Sequence, residues 1–324
     1  MEYGFPTGYE SSGLWEIARA MRREVSADKK RELPPVRRLL AVTVCLLVAA
    51  FASSCGSEPE KRPLTTSITQ AAAEAPGGKV SITIPGTLAA DFTVLEQSAK
   101  GKLGLAIMPV GGAQFVGLGK WTTGPAWSTM KVPLVVAAER KNPGGQSYAV
   151  SAAITASDNT AADSLWSALG TPREAAQSVQ AVLREGGDSV TVVAEKPKRA
   201  EYSSFGQSEW SLADQVRFAS KLPCLPGSDK VVQLMGSVSA NQQWGLGSVF
   251  DAAEFKGGWG PDTEGAYLVR QFGLVPASGG SVAIALAAQP DSGTFSDGMN
   301  LLDEMAGLIS QHLGEFTGGS CPAR

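Results

Sequence analysis

A serine and a lysine three positions apart, Ser128 and Lys131 in WSTMKVP, stand where a strand-like pattern gives way to a helical one. On a helix, positions i and i+3 share a face, so the lysine amine comes within hydrogen-bond reach of the serine hydroxyl. At the helix amino terminus that serine also meets the positive end of the macrodipole and N–H groups without intrahelical partners. A hydroxyl so placed can be deprotonated and acylated. Pro133 is tolerated there, because a first-turn residue has no N–H bond to lose. The S-x-x-K spacing alone is weak, since a chain this long contains about one by chance. Two further groups support it. Ser157-Asp158-Asn159 lies in AAITASDNTAADSLW, just before a helical run. A second hydroxyl aimed at Lys131 would relay protons to a leaving group, and the Asn159 amide could hold a substrate carbonyl. Asp and Asn before a helix are also ordinary cap and turn residues. The third group, Phe255-Lys256-Gly257-Gly258-Trp259, falls on an expected strand. Its lysine adds positive charge that lowers the pKa of Lys131, and Gly257 and Gly258 let a substrate backbone approach, although glycines in strands also mark bulges.

Composition excludes most alternatives to this chemistry. The chain holds one histidine, His312, so a Ser-His-Asp engine or a multi-histidine metal site is nearly excluded and any nucleophile relies on Lys, Glu or Asp. His312 is expected to be structural. With 28 Lys+Arg against 31 Asp+Glu, the chain carries no basic field for nucleic acid. A 43% apolar content is enough for a sizeable core.

The elements that must position these residues follow from periodicity. Helical spacing is read at residues 92–99, 128–140, around Ala152, and at 160–169, 173–184, 212–221 and 297–313. Strands are read at 102–110, 113–118, 254–259, 266–274 and 281–288, the first two joined by Gly111-Gly112. Strands near both ends of the chain with helices between them predict an α/β (α+β) domain over residues 80–324. Its sheet has about five antiparallel strands assembled from both chain ends and flanked by terminal helices, beside a helical subdomain.

Three weak motifs in this order, on helix, loop and strand, resemble the signature S-x-x-K, S-D-N and K-T-G of the penicillin-recognising serine enzymes, with the class A β-lactamases the nearest group. The resemblance runs from about Lys102 to Gln289 and includes Gly187-Asp188-Ser189 and the hairpin after Lys256. It implies a β-lactamase/transpeptidase-like fold with no cofactor and no metal. By it, Ser128 is the acylated nucleophile, Lys131 its base, Ser157 the proton relay and Asn159 a substrate-positioning group. Lys256 is electrostatic, and the N–H groups of Ser128 and Trp259 form the oxyanion hole. Three departures stand out. Lys256-Gly257-Gly258 lacks the hydroxyl of K-T-G, a loss for which Arg270 in YLVRQFG is the candidate compensation, a surface arginine being the alternative. The interval between Ser128 and Ser157 is short for class A enzymes, so the helical subdomain is expected to be reduced. The E-x-x-L-N loop that holds the deacylating water is missing, leaving Glu195 in AEKPKRAEY as the candidate base and Glu201 as a poorer one.

At the amino terminus, the apolar run from Leu39 to Ala52 follows Arg37-Arg38 and precedes Ser53-Ser54-Cys55. It is short for a membrane span and resembles a bacterial lipoprotein signal, with Cys55 as the lipidation site. The alternative is an ordinary cleaved signal with an incidental Cys55. Residues 1–35 carry no clear apolar period and read as an overextended start, the compact signal opening near Val36. Residues 56–79, rich in Ser, Pro, Thr, Glu and Ala, read as a tether. With Cys45 in the signal and Cys55 lipidated, Cys224 and Cys321 remain for one disulfide in an oxidising compartment, or stay as two free thiols. The expected protein is a monomer anchored by lipid on the extracytoplasmic face of the cell membrane. It is expected to acylate on Ser128 with slow deacylation, a peptidoglycan stem peptide or a β-lactam being the candidate ligand. The alternative is a catalytically silent binding or scaffold lipoprotein of the same fold.

Overall fold

The computed structural model describes residues 86–322. The expected signal, Cys55, the tether at 56–79 and the first residues of the expected domain lie outside the described residues. Helix α1 (Leu88–Ser98) leads into strands β1 (Gly101–Pro109) and β2 (Val116–Gly119). A short strand β3 (Thr123–Pro125) and a 3-10 turn (Trp127–Met130) enter helix α2 (Lys131–Lys141). Helices α3 (Ser147–Thr155), α4 (Asn159–Ala168) and α5 (Pro172–Glu185) follow. After an irregular segment come β4 (Glu209–Ser211), α6 (Leu212–Lys221), α7 (Asp229–Met235) and α8 (Leu246–Val249). Strands β5 (Glu254–Pro261), β6 (Tyr267–Ala277) and β7 (Gly280–Pro290) and helix α9 (Phe295–His312) complete the order.

The main sheet has the order β2-β1-β7-β6-β5, antiparallel throughout. Strands distant in sequence therefore meet at its centre, as expected. Both faces of the sheet are covered. On one side Leu103, Leu105, Ile107, Val282, Ile284 and Leu286 pack against Leu88 and Phe92 of α1 and Leu302, Met305 and Ile309 of α9. On the other, Ala106, Met108, Phe272, Ala283 and Ala285 face Met130, Val135, Val216 and Phe218 of the helical layer. Burial on both faces is why these strands read as continuous apolar runs rather than alternating ones. Each such Leu, Ile or Phe contributes about 1.5–3 kcal/mol of burial.

Local signals set the helix starts. Thr171 and Glu174 form a reciprocal capping box with Pro172 at the first position of α5. Ser211 caps α6 by accepting from the Asp214 N–H at 3.0 Å. The expected helix over 128–140 is a 3-10 turn followed by α2, and the expected strand over 113–118 is the shorter β2. The two-strand ribbon of β3 with β4 had no sequence signal, because three residues on each side carry no period. The expected disulfide forms between Cys224 and Cys321, with Cα atoms 5.3 Å apart. It fastens the carboxyl-terminal segment, whose Thr317 and Gly319 bridge to Ser278 and Ser281.

Candidate active site

The nucleophile turn is built by constrained backbone. Trp127 adopts a left-handed φ of 49°, a conformation that costs a non-glycine residue about 1 kcal/mol or more. Thr129 is buried, donating to the Ala126 carbonyl and accepting from Gln215 Nε2 at 3.0 Å. Ser128, between them, is half-buried and faces strand β5. A Cβ on Gly258 would lie 2.9 Å from the backbone nitrogens of Ser128 and Thr129, so only glycine lets β5 run this close to the start of the helix. Trp259 follows on the same strand, its backbone beside the turn.

Lys131 projects from the first turn of α2 and is buried. Its Nζ donates to the Ser157 carbonyl, to Asn159 Oδ1 at 2.7 Å and to Ser157 Oγ at 3.3 Å. Burial pushes this ammonium down to about 8, against the opposing pull of Asp163 and Asp158. Lys256, fully buried on β5, donates to the same Ser157 Oγ at 2.8 Å and to the Gly257 carbonyl at 2.9 Å. Burial first, then repulsion from Lys131, holds it well below the ordinary lysine range. Ser157 Oγ thus accepts from two amines, which leaves its own proton directed away from both. Ser157 takes φ 56°, and Asp158 caps α4 by accepting from the Ala161 N–H at 2.8 Å. This sharp turn is what brings the Ser157 and Asn159 oxygens to one lysine. The Ser128 hydroxyl takes no side-chain partner among the described residues, and an unprotonated Lys131 would have a lone pair to offer it.

Ser128, Lys131, Ser157, Asn159, Lys256, Gly257, Gly258 and Trp259 are therefore brought together. Two expectations are corrected. Arg270, fully buried and paired in register with Gly258, donates to the carbonyls of Gly124, Pro125 and Trp210 at 3.0–3.1 Å and to Gln215 Oε1 at 2.9 Å. Burial pushes its guanidinium down to about 9. Its donors fix the backbone that leads into the nucleophile turn, so it does not replace the missing hydroxyl. Glu195 is exposed and faces Arg173 at 3.6 Å, while Glu201 faces Arg199 at 3.7 Å. Neither has a hydrogen bond to the lysine and serine cluster. His312 lies on the opposite side of the sheet, bonded to Asp91 at 3.0 Å and Glu315 at 2.8 Å, a structural tie between α9 and α1.

Sequence reasoning missed several neighbours. A Cβ on Gly257 would come within 2.5 Å of the Trp244 ring, which packs edge-on against Trp259 and Phe295. A side chain at 257 would therefore collide with Trp244. The segment 194–208 is drawn together by Gln207, whose amide donates to the Arg199 and Tyr202 carbonyls at 2.9 Å. Arg199 stacks 4.3 Å from the Tyr202 ring and donates to the Pro261 and Asp262 carbonyls at 2.8 Å, fastening this segment to the end of β5. Ser203 of the same segment donates to Asp163 on α4 at 2.7 Å. No local pattern marks these residues, because each acts through a partner distant in sequence.

No protein-family model and no curated protein sequence matches the chain. Solved structures do. The TLA-3 extended-spectrum β-lactamase matches with a TM-score of 0.59 at 16% identity, over 70% of this chain and 98% of that one. A class A β-lactamase from Mycobacterium abscessus gives 0.57 at 17% identity, over 70% and 99%. A β-lactamase from Streptosporangium roseum gives 0.56 at 13% identity, over 71% and 99%. At these identities the likeness is one of fold, and the fold of this chain is that of the class A β-lactamases.

Proposed function

We propose that the protein is a serine acyl enzyme of the penicillin-binding type, held on the extracytoplasmic face of the cell membrane by lipid on Cys55. The observation that carries the reading is the buried Lys131 amine, pushed down to about 8, at the start of α2 and three positions after the half-buried Ser128 of the 3-10 turn. In this reading Lys131 takes the Ser128 Oγ proton as Oγ attacks a strained or activated amide carbonyl. The N–H groups of Ser128 and Trp259 receive the developing oxyanion. The carbon–nitrogen bond breaks, and the leaving nitrogen takes a proton from the Ser157 hydroxyl, which is refilled from the lysine pair. Lys256, when protonated, faces a substrate carboxylate, so the ligand is a β-lactam or a peptidoglycan stem peptide. Release of the ester is slow because Glu195 points at Arg173 rather than into the site.

A silent binding role is the second reading, favoured by the glycine at 257 and the displacement of Glu195. Intact mass of the soluble domain after exposure to a penicillin and, separately, to a fluorophosphonate separates the two. A Ser128 adduct that persists supports the acyl enzyme; no adduct with either reagent on folded protein leaves the silent reading.

A further inference from the structure

With Glu195 at the surface, the acyl-enzyme reading lacks a base for the water that frees Ser128. Another carboxylate lies one helical turn beyond Asn159. Asp163 follows Asn159 by four residues on α4, so it shares the helix face of the amide that holds Lys131 Nζ at 2.7 Å. It is exposed rather than packed into the helical layer. Its Oδ1 accepts from Ser203 Oγ at 2.7 Å, which ties the carboxylate to the 194–208 segment. Among the described residues, Oδ2 has no protein donor and the carboxylate has no Lys or Arg within ion-pair distance. Asp163 also acts on the charge of Lys131 more strongly than Asp158 does, although Asp158 adjoins the serine that Lys131 touches. Asp158 uses one oxygen on the α4 cap and, unlike Asp163, has no tie to the 194–208 segment.

We propose that Asp163, held by Ser203, is the base for the water that hydrolyses the Ser128 ester. The inference rests on the acyl-enzyme reading and deepens it. The water oxygen forms its bond to the acyl carbon while its proton passes to Asp163 Oδ2. The bond from Ser128 Oγ to that carbon breaks as Oγ takes a proton from the Lys131 ammonium, and the proton on Asp163 returns to the amine through solvent. Ester and water become acid and free serine, with nothing else consumed. Asn159, on the same helix face, takes no proton and holds the amine that carries it.

The test is a pulse of benzylpenicillin, removal of the excess, and intact-mass measurement of the Ser128 adduct over time. Wild type is compared with Asp163→Asn and Ser203→Ala, each checked for a cooperative melt. Asp163→Asn should be acylated no more slowly than wild type, and its adduct should last about 10²-fold longer, as loss of a positioned base implies. Ser203→Ala, which leaves the carboxylate in place but unheld, should lengthen the adduct lifetime severalfold. A purely structural role would slow both phases together, so a selective effect on release is the supporting result. Release from Asp163→Asn at the wild-type rate overturns the proposal while the acyl-enzyme reading stands. Should Asp163→Asn fail to fold, an unchanged lifetime in Ser203→Ala overturns it. A wild type that takes up no penicillin overturns the proposal, and one that takes up no fluorophosphonate either overturns the acyl-enzyme reading with it.

Discussion

If Lys131 is the base that activates Ser128, acylation should follow the neutral fraction of its amine, and the structure sets the size of that effect. Burial under α3, α4 and β5 lowers the Lys131 pKa from the ordinary 10.5 to about 8, the charges of Asp163 and Asp158 opposing the shift. At pH 7 about a tenth of the amine is then neutral, against roughly 0.03% for an ordinary lysine, a gain of about 300-fold or ~3 kcal/mol. The sign follows from the role. Acid protonates the base, so the rate falls below pH 8 and levels off above it. A fluorophosphonate is the suitable reagent, because it lacks a carboxylate and so does not read the charge of Lys256. Single-turnover labelling of Ser128 should rise about tenfold per pH unit from 6 to about 7.5 and flatten by about 9. Lys131→Arg should abolish labelling, since a guanidinium does not lose its proton in this range. A rate independent of pH between 6 and 9, or one still climbing through pH 10, would refute the assignment of Lys131 as an amine tuned by burial.

Two further outcomes are expected. Gly257→Thr alone should destabilise the domain by about 1–3 kcal/mol in urea unfolding, because its Cβ overlaps the Trp244 ring. Pairing it with Trp244→Ala should cost less than the two single changes summed; strict additivity would mean that the residues do not share space. Cys55→Ala should abolish lipid labelling and release the protein from membranes while the domain melts at an unchanged temperature. Labelling that persists would place the lipid on another residue.

The sequence by itself determined what short-range physics can encode. Caps such as Ser211 with Asp214 and Thr171 with Glu174 place helix starts within a few residues, because a side chain that reaches a backbone N–H two or three positions on needs nothing else. The apolar runs of β1, β6 and β7 announced strands, and the order of the Ser128, Ser157 and Lys256 groups announced a serine–lysine site. The cysteine count left Cys224 and Cys321 as the pair to be bridged, and they are. Tertiary structure alone decided how the charged groups are used. Arg270 reads as an accessible cation on an apolar strand, yet β3 and α6 close over it and its donors go to carbonyls. Glu195 has the right place in the chain but turns outward, because Gln207 and Arg199 fold its segment onto the end of β5. Asp163 looks like one more solvated helix residue until Ser203 reaches it from 40 positions away. The expected lowering of the Lys131 pKa is found, but burial causes it rather than repulsion from Lys256, and desolvation depends on what packs around an amine. Here the packing comes from strands and helices up to 99 residues apart that meet at one serine hydroxyl.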